Sequence, residues 1–139
     1  MFRVFSVLDL NSAYFKLPLT ASSRRITAFY TPFVLFAFNR LPMGISVGSQ
    51  ALTPVVNDLF AYLKGNFVFT YFDELVVFSR SVQEHSEHMR VVLRRLREAG
   101  FAINPDMFLI ATQEIKYLWH VLSSRDISLL PDRVAAIKD

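Results

Sequence analysis

The feature that most constrains this sequence is a pair of apolar runs separated by only two residues. Residues 67–72 and 75–78 are almost continuously apolar, as strands buried on both faces are. The short connection between them predicts a tight β-hairpin. Its two residues would be Asp73 and Glu74, although tight hairpins favour Asn-Gly or Asp-Gly because both turn positions need a positive φ. Breaking that preference without a structural gain is typical of a functional position.

A second apolar run also ends at a carboxylate. Residues 4–8 are strand-like and are followed by Asp9. We therefore expect Asp9, Asp73 and Glu74 to converge at one edge of a sheet. Oxygen-only clusters suit Mg²⁺, and two such ions can hold the attacking and leaving oxygens of a phosphoryl transfer. An acidic pair in a turn can equally be a solvated turn, and the residues alone leave both readings open.

Two helices are predicted from their ends. One begins at Thr53, with its hydroxyl as N-cap and Pro54 at the first helical position. The other opens with a capping box formed by Ser81 and Glu84, and Gly100 ends it. The apolar face of the first is expected to be Val55, Val56, Leu59, Phe60 and Leu63. The apolar face of the second is expected to be Met89, Val92, Leu93 and Leu96.

The remaining segments complete a mixed α and β pattern. Residues 26–38 are expected to give one or two strands broken near Pro32, and residues 41–44 read as a loop. A last helix is expected after Pro131. With no internal repeat or linker, the pattern indicates one domain of the α+β or α/β class.

Composition limits the functional classes. A 139-residue chain with 53% hydrophobic residues is globular, and its net charge of +3 is compatible with a phosphate-bearing partner. The absence of cysteine excludes disulfides and thiolate metal sites. The longest apolar stretch, 26–38, is too short to span a membrane, and the N-terminus does not read as a signal peptide. We expect a cytoplasmic or nuclear protein that is not secreted and has no membrane partner.

Three further groups of residues have a functional and a plain structural reading. His85 and His88 are three residues apart on a helix and could bind a metal, but a solvated helix face is favoured. A set of arginines could contact phosphates or simply keep a helix soluble: Arg90, Arg94, Arg95 and Arg97. A set of aromatic residues is read as core rather than as a platform for stacking bases: Phe33, Phe36 and Phe38.

Five segments, in order, resemble the motifs of retroviral and gypsy-type reverse transcriptases. Residues 7–14 (Val-Leu-Asp-Leu-Asn-Ser-Ala-Tyr), 17–19 and 27–29 resemble motif A, and 40–44 (Arg-Leu-Pro-Met-Gly) resemble the start of motif B. Residues 71–74 (Tyr-Phe-Asp-Glu) occupy the place of the Tyr-x-Asp-Asp signature. Residues 84–100 with 104–105 resemble motif D, and 117–121 resemble the segment that begins the primer grip.

The resemblance implies an α+β reverse-transcriptase palm, an antiparallel sheet carrying a carboxylate cluster and backed by helices. It implies an RNA-directed DNA polymerase that uses two Mg²⁺ ions, or Mn²⁺, with an RNA or DNA template, a primer and deoxynucleoside triphosphates. The catalytic and metal-binding residues implied are Asp9, Asp73 and Glu74. Tyr14 would lie under the sugar and reject a 2′-hydroxyl. Met43 and Gly44, in the loop before the next helix, would line the nucleotide side.

Several positions depart from that family's pattern. Glu74 replaces the second Asp, Asp106 stands where Lys is expected, residues 47–49 replace Asn-Ala-Pro, and Trp119 replaces a Gly. We expect one domain, 1–139, covering motifs A to E, with fingers and thumb largely missing and activity weak or lost, as in a derived, domesticated or decayed copy. The alternatives are a non-catalytic domain binding nucleic acid or a protein partner, and a fragment without its own function. Exposed apolar surface would then favour self-association or a protein partner.

Overall fold

An antiparallel sheet built around one long strand forms the centre of the fold. The computed structural model describes residues 2–118, 120–123 and 127–129. Strand β1, Val4–Asn11, pairs along its length with β5, Glu74–Ser79, which pairs in turn with β4, Val68–Tyr71. On its other side β1 pairs with β6, Ala102–Ile103, and with β7, Leu109–Thr112. The predicted hairpin and antiparallel sheet are therefore confirmed.

Alternation along these strands gives the sheet two different faces. One face carries Leu8, Leu10 and Leu75 and is covered by two helices, α2 (Gly48–Leu59) and α3 (Val82–Glu98). The core members that the helices contribute are Leu52, Val56, Met89, Val92 and Leu96. The opposite face carries Phe5, Val7, Val76 and Phe78. The helix-backed sheet expected from the sequence is thus present.

A second sheet covers the opposite face. It consists of β8 (Glu114–Tyr117), β9 (His120–Ser123) and β10 (Ile127–Leu129), all antiparallel. Ile115 and Tyr117 pack into the core formed by that face. The helix expected after Pro131 and the departure at Trp119 lie outside the described residues.

A small hairpin follows helix α1, Ala21–Ile26, which the sequence did not predict. Its strands are β2 (Phe29–Tyr30) and β3 (Leu35–Phe36), so the strands expected on either side of Pro32 are confirmed. The core reading is wrong for Phe33 and Phe36, which are 95% and 51% exposed, whereas Phe38 is half-buried. The reason is that this two-stranded ribbon pairs with no other strand in the described part of the chain.

Helix α2 begins at Gly48 rather than at Thr53, so the predicted start is wrong. The Thr53 hydroxyl is not an N-cap: it is buried and has no hydrogen-bond partner within the described residues. Pro54 lies inside the helix, where it cannot donate to the Gln50 carbonyl. Burial of Leu52 against the sheet explains the earlier start, since tertiary packing contributes more to helix stability than local propensity does.

Helix α3 has the predicted ends but a slightly rotated buried face. The Ser81 hydroxyl accepts the Glu84 N–H at 3.2 Å, and Gly100 follows the helix with a φ of 76°. Leu93, expected in the core, is 38% exposed, whereas His85 is 3% exposed. The solvated reading of His85 is therefore wrong. A buried histidine is tolerated there because two serine hydroxyls contact its ring nitrogens.

Candidate active site

The strand register brings the predicted carboxylates together. Asp9 of β1 lies directly opposite Glu74 of β5. Directly opposed residues in an antiparallel pair point to the same face, with Cα atoms about 4.5–5.5 Å apart. Asp73 adjoins them, because its carbonyl accepts the Leu10 N–H at 2.9 Å. The three residues thus meet at one end of the β1–β5 pair, with Asp9 and Glu74 on the face away from the helices.

The hairpin turn differs from the prediction by one residue. β4 ends at Tyr71 and β5 begins with Glu74, so the turn residues are Phe72 and Asp73. Phe72 has a φ of 54°, in the region that a tight turn reserves for glycine at this position. A side chain held there costs about 1–3 kcal/mol, and such strain is common at active sites. The strained turn places Asp73 at the tip and returns Glu74 to the strand.

The carboxyl groups are held in mutual repulsion. Burial is the largest cause that raises the pKa of Asp73, and the charge of Asp9 raises it further. Burial also raises the pKa of Glu74, and Asp9 and Asp73 add to the effect. A backbone hydrogen bond partly offsets this repulsion at Asp73, but among the described residues no lysine or arginine contributes to the pKa of either group. A bound cation would relieve it, because an opposite charge favours the ionised carboxylate.

Tyr117 lies beside this cluster on the covering sheet. Its side chain is 9% exposed. Burial raises the pKa of its phenol to about 12, with smaller contributions from Glu74 and Tyr71. The hydroxyl therefore stays protonated at neutral pH and remains a hydrogen-bond donor. The sequence did not indicate this proximity, which depends on how the second sheet packs.

Asn104 is a second neighbour that the sequence analysis did not assign to the site. Its backbone N–H donates to the Asp9 carbonyl at 2.8 Å, and its side-chain amide lies 3.4 Å from Asp9 Oδ2. Its own Oδ1 accepts the Asp106 N–H at 3.2 Å. The Asn-Pro turn therefore positions Asp9 from the side of β6. The signal available was the Asn-Pro dipeptide itself, which marks a turn.

The predicted nucleotide-side residues are only partly brought together. The Tyr14 hydroxyl lies 3.2 Å from the Ser49 hydroxyl on α2, and the Tyr14 ring packs against Gly48, where an added Cβ would lie 3.4 Å away. A groove of about 600 Å³ lies between the start of α2 and Phe72. None of Tyr14, Met43 and Gly44 lines this groove; Tyr14 reaches it only through its contact with Ser49, which does line it.

The cluster is not a preformed metal cage. Within residues 2–118, 120–123 and 127–129, no group of three or more His, Cys, Asp or Glu side chains is arranged to hold a metal ion. The donor set that the strands bring together is nevertheless oxygen-only, as Mg²⁺ prefers. The described helices also include none long and apolar enough to cross a membrane.

Comparison with known proteins gives a consistent result. The family model described as "Reverse transcriptase (RNA-dependent DNA polymerase)" matches residues 2–122. The retrovirus-related Pol polyprotein from transposon gypsy of Drosophila melanogaster is 26% identical over 99% of this chain. The corresponding polyprotein from transposon 412 of the same organism is 28% identical over 94% of it. This chain spans only 13% and 10% of those relatives' lengths.

Solved structures show the same fold. A foamy viral protease–reverse transcriptase in complex with an RNA/DNA hybrid matches 99% of this chain with a TM-score of 0.85 at 24% identity. A structure of that viral protein with double-stranded DNA also matches with a TM-score of 0.85. The match covers 18% and 28% of those chains.

Proposed function

The chain belongs to the reverse transcriptase (RNA-dependent DNA polymerase) family, and on that premise we propose that residues 1–139 are the palm region of an RNA-directed DNA polymerase. The observation that carries the proposal is the placement of Asp9 opposite Glu74, with Asp73 at the adjoining turn. Since the chain spans a small share of its relatives, the fingers and thumb that complete a polymerase would come from other segments or another chain.

Asp9, Asp73 and Glu74 would hold the divalent cations, Mg²⁺ or Mn²⁺. Their electrostatics support this role, because burial first and then the neighbouring carboxylates raise the pKa values of Asp73 and Glu74, and a bound cation would favour the ionised forms. When bound, the ions would supply charge stabilisation for the attacking and leaving oxygens of nucleotidyl transfer. The residues themselves set the positions of the carboxylates: Asn104 holds the Asp9 backbone, and the strained Phe72 turn fixes Asp73.

The groove beside α2 is the proposed place of the incoming deoxynucleotide and the template. Tyr14, anchored by Ser49 and packed on Gly48, would lie under the sugar. Phe72 and the first turns of α2, from Ser49 to Pro54, form the walls. Structural neighbours are named as complexes with an RNA/DNA hybrid and with double-stranded DNA, which supports a primed RNA or DNA template as the substrate.

Two departures lower the expected rate. Glu74 is one methylene longer than the aspartate of the family signature, and a displacement on the order of 1 Å can cost about a hundredfold in rate. Asp106 stands where a lysine is expected. We therefore expect weak or undetectable primer extension by this chain.

A non-catalytic domain that binds nucleic acid or a protein partner is the second candidate. The exposed hairpin favours a protein partner, since Phe33 is 95% and Tyr30 86% exposed, and apolar surface of this kind marks interfaces.

Primer extension on an RNA template, with Mg²⁺ or Mn²⁺, tests the catalytic proposal. The variants are Asp9→Asn, Asp73→Asn and Glu74→Asp. Asp58→Asn, an exposed carboxylate on α2, is the matched control for charge. We expect Glu74→Asp to raise extension, and either Asn variant to abolish it in that background while Asp58→Asn does not. Extension that survives Asp9→Asn with Asp73→Asn would contradict the catalytic roles proposed for these carboxylates. No extension by Glu74→Asp, even when fingers and thumb are supplied, would favour the non-catalytic candidate.

A further inference from the structure

A second groove lies on the back of the domain, away from the carboxylates. It runs between α3 and the segment that leads into β7, and its volume is about 660 Å³. One wall is the stripe of α3 from Val82 to Arg97, and the other is formed by Phe108, Ile110 and Ala111. The α3 wall is about 22 Å long, because a helix rises about 1.5 Å per residue. That length matches roughly four turns of a partner helix.

The floor of the groove is mainly apolar, although His85 and Ser86 also line it. Met89 is buried at its base, whereas Leu93 is 38% and Ile110 58% exposed. Phe108 is half-buried beside them. Exposed aliphatic side chains on both walls of a concave surface are a feature of sites that receive the apolar face of an amphipathic helix.

The charges that line the groove have one sign. Arg90, Arg94 and Arg97 line it at helical spacing, and no Asp or Glu is among the lining residues. The acidic residues of α3, Glu84, Glu87 and Glu98, are outside this lining. The three arginines are exposed and form no ion pair within the described part of the chain. A row of unpaired guanidinium groups beside an apolar floor complements carboxylates on an apolar helix.

We propose that this groove binds an acidic amphipathic helix of a protein partner. Aliphatic side chains of the partner would fill the floor around Leu93 and Ile110, and carboxylates on its flank would pair with Arg90, Arg94 and Arg97. A nucleic acid fits less well, because three arginines along one rim offer phosphate contacts while the floor offers mainly aliphatic side chains and no exposed aromatic stack. The inference is independent of polymerase activity, since the groove shares no residue with the carboxylate cluster.

Fluorescence anisotropy with the full chain tests the proposal. The probe is a labelled 16-residue peptide with leucines at helical spacing and glutamates flanking them. Its controls are the same peptide with lysine in place of glutamate, a scrambled acidic peptide, and a 20-nucleotide single-stranded DNA. The protein variants are Arg94→Glu, which reverses one rim charge, and Leu93→Asp, which removes part of the floor. Arg25→Glu, an exposed arginine on α1 outside the groove, is the matched control.

We expect saturable binding of the acidic peptide, weakened at least tenfold by Arg94→Glu and by Leu93→Asp and unchanged by Arg25→Glu. The lysine and scrambled peptides should bind at least tenfold more weakly. Circular dichroism should show the same thermal unfolding for all variants, since the substituted side chains are exposed. Equal binding of the scrambled peptide, no binding of the acidic peptide at millimolar concentration, or preferential DNA binding lost in Arg94→Glu but not in Leu93→Asp would overturn the proposal.

Discussion

Acidification should loosen the contact between α3 and the sheet, because a buried chain of hydrogen bonds connects them through His85. The His85 Nε2 lies 2.7 Å from the Ser6 hydroxyl of β1, and its Nδ1 lies 2.9 Å from the Ser79 hydroxyl of β5. The Ser79 hydroxyl also lies 2.8 Å from His88 Nδ1. The Ser6 hydroxyl accepts the Ala111 N–H at 2.9 Å. Three strands and one helix therefore meet at these side chains.

Only one arrangement of protons on neutral histidines gives each of these side chains a hydrogen-bond partner. In that arrangement the Ser6 hydroxyl accepts the Ala111 N–H and donates to Nε2 of His85. The Nδ1–H of His85 donates to the Ser79 hydroxyl, and that hydroxyl donates to Nδ1 of His88. If Nε2 carried a proton, the Ser6 hydroxyl hydrogen would have no acceptor among these contacts. Protonation of His85 therefore places a charge in a buried site and leaves one buried donor unsatisfied, and the second effect alone costs about 1–3 kcal/mol.

The pH dependence follows from the direction of the pKa shift. Burial lowers the pKa of His85, and the charge of His88 lowers it further. The unfolded chain then binds more protons than the folded chain as the pH falls, so the free energy of unfolding falls below the unfolded pKa of about 6.5. The contribution of His85 is fully present above that pH. One proton gives a slope of at most about 1.4 kcal/mol per pH unit.

Urea unfolding between pH 8 and pH 5 measures this slope. His85→Gln keeps a donor and an acceptor but does not titrate, and His120→Gln, an exposed histidine on β9, is the matched control. We expect the wild-type chain and His120→Gln to lose on the order of 1 kcal/mol per pH unit below pH 6.5, and His85→Gln to lose clearly less. Parallel slopes for the wild-type chain and His85→Gln would refute the reasoning.

Three further outcomes are expected. Asn104→Ala should lower primer extension by the Glu74→Asp chain about tenfold, because Asp9 loses the amide beside its carboxylate, while thermal unfolding stays within a few degrees. Pro54→Ala should raise the free energy of unfolding by about 1–2 kcal/mol in urea titrations, because it restores an N–H donor inside α2; a loss of stability would show that proline's restriction of the unfolded chain dominates. The isolated chain should self-associate at micromolar concentration in light scattering, and Phe33→Ser should reduce the association, whereas a monomeric wild-type chain would contradict the exposed hairpin as its cause.

The sequence predicted the hairpin because it depends on a local pattern, and it predicted the convergence of carboxylates because each of them directly follows an apolar, strand-like run or lies between two such runs. Two apolar runs with a two-residue gap permit few other arrangements. The exact turn was not predictable, since an apolar Phe72 at positive φ contradicts every turn preference. The start of α2 was also missed, because Thr53 and Pro54 form a good local start that the burial of Leu52 overrides.

The buried state of His85 was partly accessible from the sequence. Met89, Val92 and Leu96 follow it at helical spacing, which places it on the buried face of α3. What the sequence could not show is that Ser6 and Ser79 would stand opposite its ring. That arrangement depends on the register of β1 against β5, which arises only when the sheet assembles.

That register also explains how a hairpin with a strained turn can hold the carboxylates in place. Along β1, Leu8 and Leu10 face the helices, so Asp9 between them faces the other way. A slip of one residue would put Asp9 into the helix-covered core and the leucines toward the second sheet. Burying an unpaired carboxylate in the helix-covered core would cost several kcal/mol, and removing two leucines from that core would add the loss of their packing there. The apolar alternation thus determines the position of Asp9 against Glu74. The turn at Phe72 only connects two strands whose register the core packing already determines.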